Sequence, residues 1–144
     1  LSSRLTAYVR EELGLDYAPF VYSVAQDSEP SYDWLVGSSV APENSEDIEQ
    51  AIDKVIVEAV KGISEDETRT AAKQLVADLT PLQYKPTQQA WFISRYLIHD
   101  YGVEALFDLQ GMTDSISSKD MTEYAKEIFG DNSYKLKNLL RPQS

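Results

Sequence analysis

The spacing of apolar residues changes once within the first forty positions, from the period of a helix to the period of a strand. Leu5, Tyr8, Val9 and Leu13 recur at intervals of three and four, which predicts a helix over residues 4–13. Gly14 can adopt the left-handed conformation that ends a helix. From residue 18 onward the period is two, which predicts strands over residues 18–25 and 32–41 around a turn at residues 27–31. The alternation determines which side chains share a face, and one face of the second strand carries Trp34, Val36, Ser38 and Val40.

Residues 44–130 carry helical spacing almost throughout. One helix begins at Asn44 and ends at Gly62, and a capping box formed by Ser64 and Glu67 begins the next. The stripes predicted to face the core are Ile48, Ile52, Val55, Ala59 and Val60 in the first helix and Ala71, Ala72, Leu75, Val76 and Leu79 in the second. An aromatic-rich helix over residues 87–101 and a short helix over residues 103–109 follow.

Two further elements complete the predicted order. A cap of Ser117 and Asp120 begins a last helix, which ends before Gly130. A third strand is predicted over residues 134–140, and its residues that point to the core are Tyr134, Leu136 and Leu139.

This order of elements predicts an α+β fold. We expect a two-layer sandwich in which helices pack on one face of a mostly antiparallel sheet, as a single domain over residues 1–144. Three strands are few for so many helices, and the chain begins at Leu1 without an initiator methionine. We therefore expect a piece of a longer protein whose first strands lie upstream or come from another chain. The exposed sheet edge that this leaves would allow two copies to form a homodimer.

The composition opposes several functional classes. Asp and Glu number 24 against 13 Lys and Arg, a net charge of −11, which disfavours both nucleic acid and an anionic membrane surface as partners. No window approaches the roughly 18 consecutive apolar residues of a membrane span. With no cysteine and the single histidine His99, the chain cannot form a self-contained zinc site of several imidazoles or thiolates. We expect no metal site and no catalytic residue in this chain.

Most polar clusters have a plain structural explanation. His99 and Asp100 resemble an acid–base pair or two metal ligands, but adjacent residues on a helix point about 100° apart, and a histidine near a helix C-terminus is favoured by the helix dipole. The acidic residues Glu65, Asp66 and Glu67 lack calcium-loop spacing and fall in the first turn of a helix, where carboxylates are stabilised.

Arg10 and Tyr17 are the exception. They lie seven positions apart on either side of the helix break at Gly14, so both can lie at the edge where the helix ends and the hairpin begins. A guanidinium and a phenol at one edge offer donors to a peptide carbonyl or an oxyanion. The alternative is an ordinary surface arginine and a packing tyrosine.

The motifs around this pair resemble the pitrilysin/insulinase family of zinc peptidases. The chain reads SRL at residues 3–5 and REELGLDY at residues 10–17, then a hairpin. APEN at residues 41–44, GISEDE at residues 62–67 and ISSKDM at residues 116–121 also match the family pattern in order and spacing.

The resemblance implies a division of labour between paired homologous α/β domains that enclose a peptide-binding chamber. One domain carries the zinc in an inverted HxxEH motif, which this chain lacks. The other, the C-terminal type, is zinc-free and supplies an Arg and a Tyr seven positions apart. Carried over, these are Arg10, binding a backbone carbonyl of the peptide substrate, and Tyr17, stabilising the tetrahedral oxyanion. The implied cofactor is zinc in the parent enzyme, bound by the homologous partner domain.

Two other functions remain open at the level of sequence. One is a purely structural or protein-interaction domain of the same fold, and the other is an unrelated acidic α+β adaptor. The similarity to bacterial relatives and the absence of cysteine favour a periplasmic or otherwise exported location, with the cytoplasm as the alternative.

Overall fold

The computed structural model describes residues 1–25, 32–100, 102–131 and 133–140, and these form a mostly helical chain with one small sheet. The helices are α1 (Ser2–Thr6), α2 (Ser45–Lys61), α3 (Glu65–Leu79), α4 (Pro86–Ile98), α5 (Leu109–Asp114) and α6 (Ser118–Phe129). A π-helix over Ala7–Glu12 continues α1, and short 3-10 helices span Pro42–Asn44, Thr80–Tyr84 and Val103–Leu106. The strands are β1 (Phe20–Ala25) and β2 (Tyr32–Gly37).

The predicted hairpin is confirmed, but its second strand is shorter than expected. β1 and β2 pair antiparallel from Phe20 opposite Gly37 to Ala25 opposite Tyr32. Val21 and Val36 face each other and pack against the core, whereas Phe20 and Tyr22 stack on the opposite, exposed face. The predicted turn at residues 27–31 lies outside the described residues. The α+β class is compatible with these elements.

The chain forms two compact units. The first comprises residues 1–61 and 125–144, and the second comprises residues 62–124. The core of the first unit is made by Leu5, Val9, Ile48, Ala51 and Val55. Leu5 and Val9 come from the first helical segment and the other three from one stripe of α2, so the predicted stripe of α2 is largely confirmed. The single-domain organisation stays a prediction.

The first helical segment is wound differently from the expectation of a plain α-helix. After Thr6 the backbone widens into the π-helix, in which Leu13 N–H bonds Tyr8 O, five residues back, at 3.0 Å. Gly14 then adopts a positive φ of 62°, and Leu15 N–H bonds Val9 O at 3.0 Å. The predicted left-handed termination at Gly14 is therefore confirmed.

In the second unit the predicted helix caps are confirmed. Ser64 and Glu67 form a complete capping box at the start of α3. Ser117 and Asp120 exchange the same reciprocal bonds before α6. A bond of 2.9 Å from Ile63 N–H to Thr122 Oγ1 joins the loop before α3 to α6. The prediction that α3 turns Ala71 and Leu75 inward is wrong, because both are exposed and the buried residue of α3 is Thr68. Periodicity identifies an apolar face but not the element that covers it.

The predicted third strand is also wrong. Residues 134–140 have no regular secondary structure, and the residues expected in the core are exposed: Tyr134 by 90%, Leu136 by 70% and Leu139 by 58%. Within the described residues the sheet has two strands, so no neighbour supplies a ladder for this segment. Lys137 instead lies against α2, with Nζ 2.7 Å from Asp53 Oδ2 and 2.8 Å from Glu49 Oε1. Hydrogen bonds to Asp53, which has the larger effect, and to Glu49 raise the pKa of Lys137 to about 12.

Candidate functional site

The structure brings Arg10 and Tyr17 together. The Arg10 guanidinium carbon lies 4.1 Å from the centroid of the Tyr17 ring, which is a cation–π contact. Arg10 belongs to the π-helix, and Tyr17 follows the turn at Gly14. Both residues thus lie at the edge where the helix ends and the hairpin begins, and their role stays a prediction.

The fold around the pair explains why these residues meet. Leu5 and Val9, which are 1% and 0% exposed, fix the helical segment on α2 and leave Arg10 on the solvent side. The left-handed Gly14 and the bond from Leu15 N–H to Val9 O then reverse the chain within one turn. Tyr17 consequently returns alongside the helix instead of continuing away from it.

Both side chains are accessible to a ligand. Tyr17 is 75% exposed, and Arg10 is exposed as well. Among the residues that the structure describes, no carboxylate forms an ion pair with Arg10. The guanidinium N–H groups and the phenolic hydroxyl are therefore available as donors to a carbonyl or an oxyanion.

Asp16, which the sequence did not single out, fastens the segment that carries Tyr17. Its Oδ2 accepts hydrogen bonds from the hydroxyl of Ser38 and from the backbone N–H of Ser39, the latter at 2.9 Å. Its Oδ1 accepts from the backbone N–H of Ala18 at 3.1 Å. The turn from Asp16 to Ala18 can be recognised from the local sequence. Ser38 and Ser39 lie more than twenty residues further along the chain, and no sequence signal indicates that Asp16 contacts them.

These hydrogen bonds determine the ionisation of Asp16. Burial of the carboxylate opposes its charge, but the donors from Ser38, Ala18, Ser39 and Tyr17 together outweigh that effect and hold the pKa of Asp16 below its ordinary value of 3.8. A carboxyl group with a depressed pKa in the folded state contributes stability above its unfolded pKa, and this contribution is lost as pH falls through the folded pKa.

We therefore expect an acid-dependent difference between the wild-type chain and Asp16→Asn. The difference in their free energies of unfolding, measured by urea denaturation, should be largest at neutral pH. It should shrink progressively as pH falls below 3.8, because protonation removes the charge that the donors stabilise. A difference that is constant across this range would show that the Asp16 charge does not contribute to folding.

The described residues do not form a metal site. No group of three or more His, Asp or Glu side chains among them could hold an ion. His99 follows the last residue of α4 and Asp100 adopts a left-handed φ of 55°, which is the geometry of a helix end. Glu67 is engaged in the capping box of α3. These residues do not fit a zinc centre.

A small apolar cavity in the second unit is a weaker candidate. Its volume is about 30 Å³, and it is lined by Leu79, Gln89, Phe92, Ile93, Leu106, Phe107 and Leu109. With so few polar groups around it, it offers neither an orienting contact for a ligand nor partners for a bound water.

No described helix is long and apolar enough to cross a bilayer.

The comparison with protein families identifies the class of protein to which the chain belongs. Residues 1–75, which carry the Arg10–Tyr17 pair, the hairpin and α2, match the family described as the peptidase M16 inactive domain. The match covers more than half of the 144 residues, and the chain belongs to this family. It is a non-catalytic domain of the C-terminal type found in pitrilysin/insulinase peptidases, so the resemblance is confirmed. Such a domain associates with a catalytic M16 domain. Searches of curated proteins and of solved structures found no match.

Proposed function

We propose that this chain is the substrate-binding, active-site-completing domain of a zinc-dependent metalloendopeptidase and is not catalytic alone. The observation that carries the proposal is the contact between two exposed side chains, Arg10 and Tyr17, within the residues that match the inactive-domain family. A purely structural domain has no need to keep a guanidinium and a phenol together, accessible and without a competing carboxylate.

In this proposal Arg10 binds a backbone carbonyl of the peptide. A guanidinium presents several N–H donors in a fixed plane, and its contact with the Tyr17 ring restricts the number of conformations it must lose when a peptide binds. The Tyr17 hydroxyl donates a hydrogen bond to the carbonyl oxygen of the scissile bond. That oxygen gains negative charge as the tetrahedral intermediate forms, so the hydrogen bond strengthens. The contact between the two side chains would reduce the reorganisation that peptide binding requires.

Zinc belongs to the homologous partner domain in this proposal. Because the described residues of this chain do not fit a zinc centre, no step of the reaction is assigned to a metal held here. The partner domain lies in the same polypeptide or in a separate subunit, and the substrate is an extended peptide.

The proposal extends to the architecture of the parent assembly. Residues 1–144 would be one partial domain whose hairpin joins further strands into the sheet of a two-layer sandwich, with helices on one face. Within the described residues each strand of the hairpin has one strand as a neighbour, and a sheet edge without a further strand can accept an extended peptide, or a second copy of the fragment as a homodimer. A periplasmic or otherwise exported location, with the cytoplasm as the alternative, stays a prediction that cell fractionation tests.

The direct test is Arg10→Ala in the assembled enzyme. Loss of a charge-assisted hydrogen bond to a peptide carbonyl costs about 1.5–3 kcal/mol, so kcat/KM for a peptide should fall by about ten- to a hundredfold. Zinc content and the melting temperature should not change, because Arg10 is exposed and forms no part of the core.

Arg69→Ala serves as the matched control, since Arg69 is an exposed arginine paired with Asp66 on α3. It should leave kcat/KM unaltered. An unchanged kcat/KM in Arg10→Ala would favour the structural-domain alternative over the proposed one.

A further inference from the structure

The segment that carries Tyr17 is joined to the end of β2 by the Asp16 side chain and not by the backbone ladder of the sheet. The ladder between β1 and β2 ends at the pair Phe20–Gly37. The next residue toward the N-terminus is Pro19, which has no backbone N–H and cannot extend the ladder. Beyond that point the connection is made by the Asp16 carboxylate, which accepts hydrogen bonds from the N–H of Ser39 and the hydroxyl of Ser38.

The other oxygen of the same carboxylate closes a turn around Tyr17. Asp16 Oδ1 accepts the N–H of Ala18 at 3.1 Å, so the residues on both sides of Tyr17 are joined through one side chain. Asp16 thus fixes the backbone of Tyr17 locally and relative to the end of β2.

The ring of Tyr17 has little else to hold it. It is 75% exposed, and its contact with Arg10 joins two solvent-exposed groups. Cation–π contacts at exposed sites are weak, whereas a side chain that acts on a reacting atom has to be held within about 0.5 Å of its productive position.

We propose that Asp16 is the positioning residue of this site: through Ser38, Ser39 and Ala18 it holds Tyr17 where the ring meets Arg10 and the hydroxyl faces the substrate. This inference rests on the proposed function of Arg10 and Tyr17. It assigns no contact with the substrate to Asp16 itself.

The test is Asp16→Asn in the assembled enzyme. An asparagine of the same size carries one amide NH₂ in place of a carboxylate oxygen, so it cannot accept the N–H groups of both Ser39 and Ala18 at once. Displacement of a reacting group by about 1 Å can cost up to about a hundredfold, and we expect kcat for a peptide to fall by about tenfold with a smaller change in KM. Asp131→Asn, which removes an exposed carboxylate in the same unit, is the control and should leave kcat unaltered.

Combining the variants separates positioning from general structural damage. If Asp16 acts through Tyr17, the effect of Tyr17→Phe on kcat should be several-fold smaller in the Asp16→Asn background than in the wild type, because the hydroxyl is already misplaced. If Asp16→Asn only lowers the fraction of folded enzyme, Tyr17→Phe keeps its full effect in that background and the positioning role is wrong.

Two outcomes distinguish this inference from the function on which it rests. A large effect of Tyr17→Phe together with no effect of Asp16→Asn refutes the positioning role and leaves the proposed function standing. No effect of Tyr17→Phe refutes the proposed function itself. Should Asp16→Asn fail to fold, Ser38→Ala removes only the hydroxyl donor to Oδ2, and a kcat equal to that of the wild type would then count against the positioning role.

Discussion

Replacing Tyr17 by phenylalanine in the assembled peptidase is expected to lower kcat by about 10²–10³-fold, which is the usual cost of removing one donor to an oxyanion. The change deletes only the hydroxyl, so the ring and its contact with the Arg10 guanidinium remain. KM should change much less than kcat, because the hydroxyl bonds the oxygen most strongly when its negative charge develops. Steady-state kinetics on a peptide substrate, at equal zinc content, measure both constants.

Tyr22→Phe is the matched control for this substitution. Tyr22 also exposes its ring, on the outer face of β1, where it stacks on Phe20 with centroids 5.5 Å apart. The proposal gives Tyr22 no part in the reaction, so its variant should retain wild-type kcat. Equal kcat values for the wild type, Tyr17→Phe and Tyr22→Phe would contradict the role of the Tyr17 hydroxyl.

Leu5→Ala is expected to have the largest effect on folding, a loss of about 2–5 kcal/mol in the free energy of unfolding. Leu5 is 1% exposed and lies in the cluster with Val9, Ile48, Ala51 and Val55, so truncation removes buried contacts and leaves a cavity. The same cluster holds the helical segment that carries Arg10. Urea denaturation followed by circular dichroism measures the difference.

Leu13→Ala provides the comparison on the same segment. Leu13 is 41% exposed at the end of the π-helix, so its truncation should cost well below 2 kcal/mol. If the two substitutions cost the same, the burial of Leu5 would not be what anchors the segment.

Local patterns predicted the elements that depend on nearby residues. The capping boxes at Ser64 and Ser117, the hairpin and the left-handed Gly14 each follow from interactions within a few positions, and all are confirmed. The helix break at Gly14 allows Arg10 and Tyr17 to lie at one edge, and this much follows from the sequence. Their contact at 4.1 Å is seen only in the structure.

Local periodicity does not predict three other features of the structure correctly. The period of two at residues 134–140 indicates an extended chain, but a strand requires a neighbour, and the described sheet ends at two strands. The π-helix at Ala7–Glu12 has no sequence signal of its own. The contact of Asp16 with Ser38 and Ser39 depends on the register of the hairpin, which periodicity alone does not give.

The central claim is that Arg10 and Tyr17 act together on the substrate of a zinc peptidase whose metal lies in another domain. The most direct measurement is kcat/KM for one peptide in the wild-type enzyme, in Arg10→Ala, in Tyr17→Phe and in the double variant, all at equal zinc content. The two residues act on one bound peptide and touch each other, so each single variant should lose at least about tenfold and the double variant should lose less than the product of the two. Four equal values of kcat/KM would contradict the claim.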